Sequence, residues 1–200
     1  MNTPRDLILD TPQGLVSPNG VHFHTTRALL EDFAGPVLRI VSLPKLIERA
    51  EVWLRSGGAI ALWTLAGLLL VAPPLWAGVG ALLVYVFWEV MSPLWVSRWL
   101  VGLLRGLENP IVQGVLYVAV LSALGVRGHV EAVGLGLAGF VLIRWGIVPR
   151  VLRPVLRALR RPLYTLPVAD QVLRAFVLRA ALQHNIALPQ LDALKKDLRT

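Results

Sequence analysis

The longest apolar stretch of the chain, from Ser56 to Trp88, contains no Asp, Glu, Lys or Arg. Two further apolar stretches follow, Ile111 to Val126 and Ala132 to Val148, and the last of them carries a single charged residue, Arg144. An apolar stretch of about 18 residues or more with few charges is typical of a helix that crosses a bilayer. The pattern therefore predicts an all-α, polytopic membrane protein.

Breaks within these stretches divide them into four transmembrane helices arranged as two hairpins. Pro73-Pro74 lacks two amide donors and crowds the preceding turn, so it separates a helix at 57–72 from a helix at 75–97. The polar turn 127–131 separates a helix at 110–126 from a helix at 132–149. Because the first helix is short for a hydrocarbon core of roughly 30 Å, a re-entrant hairpin over 57–97 is an alternative.

Amphipathic helices are predicted at both ends of this transmembrane region. Apolar and charged residues recur with helical spacing over 37–55, which predicts an amphipathic helix. This helix either lies at the membrane interface or packs on the protein's own cytoplasmic part. The pattern of 150–161 predicts a basic amphipathic helix, and Pro154 limits how early this helix can begin. The pattern of 168–184 predicts a further helix, with Asp170 in its first turn and Asn185 at its end. A last short helix is expected after Leu188-Pro189, with leucines 191, 194 and 198 in line.

The first 56 residues predict a cytoplasmic segment with two small elements before the amphipathic helix. The sequence from Leu15 to Phe23 predicts a hairpin, because Pro18-Asn19-Gly20 suits its turn. A short helix from Thr26 to Phe33 is expected to stop at Gly35-Pro36. The predicted organisation is therefore 1–56 cytoplasmic, 57–149 transmembrane and 150–200 basic and cytoplasmic.

The basic residues set the expected orientation. The net charge is +8, and residues 144–200 alone carry eleven Lys and Arg against three Asp. Placing both termini and the middle connection in the cytoplasm puts nineteen of the twenty Lys and Arg inside, as topology rules require. We therefore expect an inner-membrane protein with cytoplasmic termini, and its first span must direct insertion because the start shows no cleavable signal. The excess of Arg over Lys fits a bacterial coding sequence.

Two charged residues fall inside the predicted spans. At 1.5 Å per residue, Glu89 lies about 21 Å from Leu75 and Arg144 lies about 18 Å from Ala132. Both helices would run inward from the outer face, and charges in a membrane are usually paired or functional. We therefore expect an intramembrane ion pair, Glu89–Arg144, which is either a structural pin or part of a proton or ion path. Helix 110–126 offers three polar residues to extend such a path: Gln113, Tyr117 and Ser122.

Other motifs point to packing and to lipid. A glycine pattern at 134–139 lies within an apolar span, so we interpret it as helix packing rather than nucleotide binding, with small residues at Gly134, Ala138, Ala77 and Ala81. The basic excess abuts a span, which favours anionic lipid headgroups over nucleic acid. The arginines expected to contact headgroups are Arg150, Arg153, Arg157, Arg160 and Arg161.

No catalytic, metal or cofactor signature is found. The chain has no cysteine, and His22 and His24 have no third ligand nearby, so no metal is expected. The short spans, the uncovered amphipathic faces and the lack of reactive residues favour a non-catalytic accessory or scaffold subunit of a larger membrane complex. The alternative is a small oligomeric transporter or channel that uses the intramembrane Glu-Arg pair.

Overall fold

The computed structural model describes residues 8–186 of the protein, and 74% of these residues are helical. This range contains one small antiparallel sheet, eight α-helices and a 3₁₀ turn at Ser92–Trp95. The strands are β1 (Leu9–Thr11), β2 (Gly14–Val16) and β3 (His22–Phe23). The helices are α1 (Arg27–Leu38), α2 (Leu43–Leu69), α3 (Pro74–Met91), α4 (Arg98–Leu107), α5 (Pro110–Val126), α6 (Val130–Arg144), α7 (Ile147–Arg160) and α8 (Val168–Gln183).

Two to four candidate membrane spans occur in this part of the chain. Helix α2, and helix α3 with the 3₁₀ turn that follows it, are each long and apolar enough to cross a bilayer alone. The pairs α4–α5 and α6–α7 meet the same criterion only when each bent pair is counted as one span, with bends of 59° and 69°. The predictions of a helical membrane protein are therefore supported.

The chain divides into two compact units. Among the described residues, the first unit contains 8–54, the segment Pro93–Arg98 and 161–186. The second contains Arg55–Ser92 and Trp99–Arg160. The chain therefore leaves the first unit twice, and each excursion into the second unit begins and ends in the first.

The first unit begins with the sheet and helix α1. The predicted hairpin is confirmed, since β2 and β3 pair antiparallel and Gly20, at φ +82°, donates its N–H to the Ser17 carbonyl at 2.9 Å. The Thr26 hydroxyl caps α1, but the predicted stop at Gly35-Pro36 is wrong because α1 continues to Leu38. A proline near the end of a helix removes only one backbone hydrogen bond, and the N–H of Arg39 still reaches the Gly35 carbonyl at 3.2 Å.

Helix α8 closes the core of the first unit. Its position confirms the helix predicted at 168–184, and Asn185 follows its end at φ +51°, the left-handed conformation that ends many helices. The buried Asp170 carboxylate in its first turn accepts hydrogen bonds from the Thr25 N–H at 3.0 Å and the Thr25 hydroxyl at 2.9 Å. Phe176 packs edge-on against Trp53, with ring centroids 6.1 Å apart. These contacts join helix α8 to Thr25, ahead of α1, and to Trp53 of α2.

From Leu43 onward, the predicted amphipathic helix at 37–55 and the first predicted span are one continuous helix, α2, whereas residues 37 and 38 end α1. Four apolar side chains on its first half are at most 1% exposed, because the protein itself covers them. They are Leu46, Ile47, Ala50 and Trp53. Of the two interpretations of this segment, the structure favours packing on the protein over lying in the interface. The helix expected after Leu188 lies outside the described residues.

The second unit has its own apolar core, built from the later half of α2 and from α3, α5 and α6. Ala77 and Ala81 of α3 are buried in this core. On α6 the close approach is made by Gly136 and Gly139, where an added Cβ would overlap leucine side chains of α5 and α2. Gly134 and Ala138, the predicted packing positions, are exposed instead because they lie on another face of the helix.

Helix boundaries in the second unit differ from the predicted ones. Helix α3 ends at Met91 rather than at 97, and the expected connection 98–108 contains helix α4. The last predicted span ends at Arg144, where Gly146 at φ +69° turns the chain into α7. Pro154 lies inside α7, so this helix begins earlier than the sequence suggests. A first-turn proline such as Pro149 costs no hydrogen bond, because that N–H would be unpaired anyway.

The role of Asp170 gives a testable prediction. Replacing Asp170 with Ala leaves the Thr25 N–H and hydroxyl buried without a charged acceptor, so we expect thermal unfolding of the protein in detergent to show a loss of about 2 kcal/mol or more. The matched control is Asp32→Ala on the exposed side of α1. An equal effect of the two substitutions would contradict the assigned role of Asp170.

The glycines of α6 give a second prediction. Gly136→Leu should lower the unfolding temperature in detergent by several degrees, because its side chain must displace Leu121 and Leu69. Gly134→Leu should be neutral, since nothing lies within 4 Å of its added Cβ. A larger loss for Gly134→Leu would show that the predicted face, not the observed one, packs.

Candidate functional site

The most distinctive polar group of the second unit is an ion pair between Glu89 and Arg160. Glu89 lies in the last turn of α3, and Arg160 is the last residue of α7. Arg160 Nη2 donates to Glu89 Oε2 at 2.5 Å, and both side chains are largely buried, with exposed fractions of 18% for Glu89 and 23% for Arg160. This geometry is a charge-assisted hydrogen bond, the stronger class of protein hydrogen bond.

The same guanidinium also binds the backbone of Glu89. Arg160 Nε and Nη2 donate to the Glu89 carbonyl oxygen at 3.0 and 2.7 Å. In a continuing helix this carbonyl would accept the N–H of the residue four positions later, which is Pro93 and has no N–H. Arg160 therefore donates to the carbonyl in place of the one N–H that the proline lacks, while it neutralises the carboxylate.

Close helix packing surrounds this pair. Gly57 of α2 is buried against it, and a Cβ added there would overlap Glu89 Oε1. One residue away on each helix, Trp88 Nε1 donates to the Ser56 hydroxyl at 3.0 Å. The start of the Arg55–Leu69 segment of α2 and the end of α3 are thus tied together by Glu89, Trp88 and Ser56.

The structure gives Glu89 a partner other than the expected Arg144. Arg144 is exposed at the end of α6, whereas Arg160 reaches the carboxylate from the far end of α7. Depth along straight helices matches Glu89 to Arg144, but the bend at Gly146 redirects the chain after Arg144 and brings Arg160 to the carboxylate. The signal in the sequence is Pro93, which frees the Glu89 carbonyl and leaves it in need of a donor from another helix.

A second freed carbonyl is satisfied at the bend between α4 and α5. The Leu107 carbonyl has no helical partner, because residue 110 is proline and the N–H of Ile111 donates to the Asn109 side chain. Two side chains donate to it instead, Trp63 Nε1 at 3.1 Å and Gln113 Nε2 at 2.7 Å. The Gln113 side chain therefore stabilises the backbone of this bend.

The other residues proposed for a polar path do not continue it from Glu89. The Tyr117 hydroxyl donates to the Leu62 carbonyl at 2.9 Å, deep in the apolar core. Ser122 is exposed on α5. Each of the polar side chains Gln113, Tyr117 and Ser122 thus has a local environment of its own, apart from the ion pair.

An apolar cleft of about 130 Å³ opens beside the packed helices of the second unit. It lies among α2, α3 and α6, with Ala61, Gly78, Gly139 and Ile143 among its lining residues, and Tyr85 is its one residue with a polar side-chain group. A cleft of this composition suits hydrocarbon rather than a polar substrate.

The arginines of the basic segment fall into two groups. Arg150, Arg153 and Arg157 are exposed on α7, and Arg161 is exposed just after it. Arg160, which was expected to contact headgroups with the others, is instead engaged by Glu89. Three guanidinium groups of α7 therefore remain available to solvent or to lipid.

His22 of β3 and His24, which follows the strand, lie in the first unit. His24 Nδ1 is 3.6 Å from Asp170 Oδ2, and both His22 and His24 are exposed. Within residues 8–186 no cluster of three or more His, Cys, Asp or Glu side chains is arranged to hold a metal ion. Comparison with known proteins finds no matching family model, no matching curated protein and no matching solved structure.

The double role of Arg160 gives the third prediction. Arg160→Gln removes the charge partner of a largely buried carboxylate, so we expect it to lower the free energy of unfolding in detergent by on the order of 3 kcal/mol. Arg160→Lys should restore only part of this loss, because one ammonium cannot reproduce the Nε and Nη2 donors.

The matched control for this prediction is Arg144→Gln, which removes the same charge from an exposed position. It should change stability by no more than about 0.5 kcal/mol. If denaturation gave equal losses for Arg144→Gln and Arg160→Gln, the observed pairing would not hold in the membrane protein.

Proposed function

We propose that the protein crosses the inner membrane four times as two helical hairpins, with both termini in the cytoplasm. The division of the chain supports this topology. Both ends of the described chain and the segment Pro93–Arg98 belong to one unit, so an even number of crossings accounts for each excursion from it. The first excursion holds the second half of α2 and α3 as crossing helices. In the second, α5 and α6 would be the crossing helices, with α4 before them and α7 after the 69° bend.

Tryptophan and charge positions agree with this placement. Trp76 and Trp95 are exposed at opposite ends of the α3 span, about 30 Å apart at 1.5 Å per residue. That separation matches the hydrocarbon thickness, and tryptophan concentrates at both membrane interfaces. The Pro73-Pro74 turn carries no Lys or Arg and the turn at 127–129 carries one, as expected for segments on the outer side.

We further propose that the protein is a non-catalytic accessory or scaffold subunit of a larger membrane complex. The observation that supports this most directly is the use of its buried polar groups. Backbone carbonyls accept hydrogen bonds from Gln113, Tyr117 and Trp63, and Arg160 donates to both a carbonyl and a carboxylate. These polar groups therefore stabilise the helices and their packing rather than line a polar cleft.

The surface of the spans also supports a role in assembly. Only 28% of the most apolar window of α3 is buried within the chain, and 50% of that of α2. A wide apolar helix face with small residues nearby is what lipid or the helices of other membrane subunits can cover. The first unit, with its own core, would remain in the cytoplasm as a docking body.

The topology can be tested cleanly because the chain has no cysteine. Val71→Cys and Arg127→Cys at the outer turns should react with a membrane-impermeant maleimide in intact cells. Asp32→Cys and Arg179→Cys, exposed in the first unit, should react only after lysis. Labelling of Asp32→Cys in intact cells would contradict the proposed orientation.

The proposed role predicts stable association with other membrane proteins. Purification of the tagged chain in mild detergent should recover a fixed set of subunits at constant stoichiometry, and liposomes containing the chain alone should pass no protons or ions. Recovery of the chain alone, without any membrane partner, would contradict the scaffold role.

The alternative function, a small oligomeric transporter or channel, is favoured by the Glu89–Arg160 pair in the apolar unit. Intramembrane ion pairs can mark ion or proton pathways. This alternative predicts flux in liposomes that Glu89→Gln abolishes while the protein stays folded. The scaffold role predicts no flux for either protein, so the same liposomes separate the two functions.

A further inference from the structure

Helix α7 presents two different exposed faces beside the one that packs on the protein. Its buried side includes Leu156 and the Arg160 that reaches Glu89. A row of aliphatic side chains at steps of four is exposed: Val151 at 67%, Val155 at 48% and Leu159 at 44%. Exposed arginines recur at steps of three and four on another side: Arg150, Arg153 and Arg157.

These two exposed faces are nearly opposite. At 3.6 residues per turn, Arg153 lies about 160° around the helix from Val155. A helix with an arginine-rich face opposite an aliphatic face is suited to the boundary between headgroups and acyl chains. In water, the aliphatic row would be an unfavourable exposed surface.

The ends of α7 fix its direction relative to the helices of its own unit. Its first residue follows α6 after a bend of 69°, and its last residue is bonded to the end of α3. In the proposed topology the ends of α3 and α6 face the same side of the membrane. Helix α7 therefore crosses from one helix end to the other and runs closer to the membrane plane than to its normal.

We propose that α7 is an interfacial helix that binds anionic phospholipid headgroups through Arg150, Arg153 and Arg157, with Val151, Val155 and Leu159 in the acyl region below them. The inference rests on the proposed placement of the second unit in the bilayer. Charge complementarity selects the partner, because three guanidinium groups point away from the aliphatic row and match phosphate oxygens. Arg160 holds the helix in place rather than contacting lipid.

Lipid titration tests the headgroup contact. Phosphatidylglycerol added to the protein in neutral detergent should raise its unfolding temperature, and phosphatidylcholine should have a much smaller effect. Each arginine near an anionic surface is worth about fivefold in affinity, so Arg150, Arg153 and Arg157 changed together to Gln should weaken phosphatidylglycerol binding on the order of a hundredfold.

The matched control removes the same charge elsewhere. Arg39, Lys45 and Arg179 are exposed in the first unit, and changing all three to Gln should leave phosphatidylglycerol binding within about threefold of the unaltered chain. Equal losses in the two triple variants would overturn the proposal, because the effect would then follow net charge alone. Equal stabilisation by soluble glycerol phosphate would also overturn it, since the site would bind phosphate without a bilayer.

Depth measurements test the aliphatic contact independently of stability. A spin label on Val155→Cys in liposomes should be accessible to oxygen and shielded from a water-soluble nickel complex, and a label on Arg157→Cys should show the reverse order. A label at position 155 that meets the nickel complex as freely as one at 157 would overturn the proposal. The maleimide experiment reports separately on topology, so a water-exposed α7 in a correctly inserted protein rejects this inference alone.

Discussion

A backbone carbonyl that loses its helical donor inside an apolar bundle must find another donor, and the second unit depends on meeting this requirement. Pro93 frees the Glu89 carbonyl, and the Arg160 guanidinium binds it with two N–H groups. Proline at 110 and the side chain of Asn109 free the Leu107 carbonyl, and Trp63 and Gln113 bind it. A carbonyl that is removed from water and finds no donor would cost several kcal/mol.

This requirement explains why a carboxylate is tolerated at the end of α3. An arginine brought in to satisfy only a carbonyl would carry an uncompensated charge into a largely buried position. Glu89 supplies the counter-charge on the same residue, so one guanidinium satisfies a backbone oxygen and a carboxylate together. The glycine at position 57 leaves the space that the carboxylate occupies. The pairing of Glu89 with Arg160 therefore explains the carboxylate by its structural role, without a transported ion.

The sequence predicts the elements whose signals are local. Helix α5 and helix α8 follow from apolar runs bounded by proline and polar residues, and the hairpin of β2 and β3 follows from Pro18-Asn19-Gly20. The partner of Glu89 does not follow, because the bend at Gly146 redirects the chain after Arg144 and places Arg160 at the carboxylate. Helical spacing identifies an apolar face without identifying what covers it. For this reason the sequence alone does not show that Trp53 lies in a protein core rather than at a membrane interface.

The same reasoning separates two kinds of amphipathic helix in this chain. The apolar face of the first half of α2 is covered by the protein, and its residues need no lipid. The apolar row of α7 remains exposed although the helix is anchored at both ends, by the turn at Gly146 and by the Glu89–Arg160 pair. Packing thus uses one side of α7 and leaves aliphatic and arginine faces in nearly opposite directions. Because a bilayer boundary offers hydrocarbon on one side and phosphate on the other, it can satisfy both faces at once.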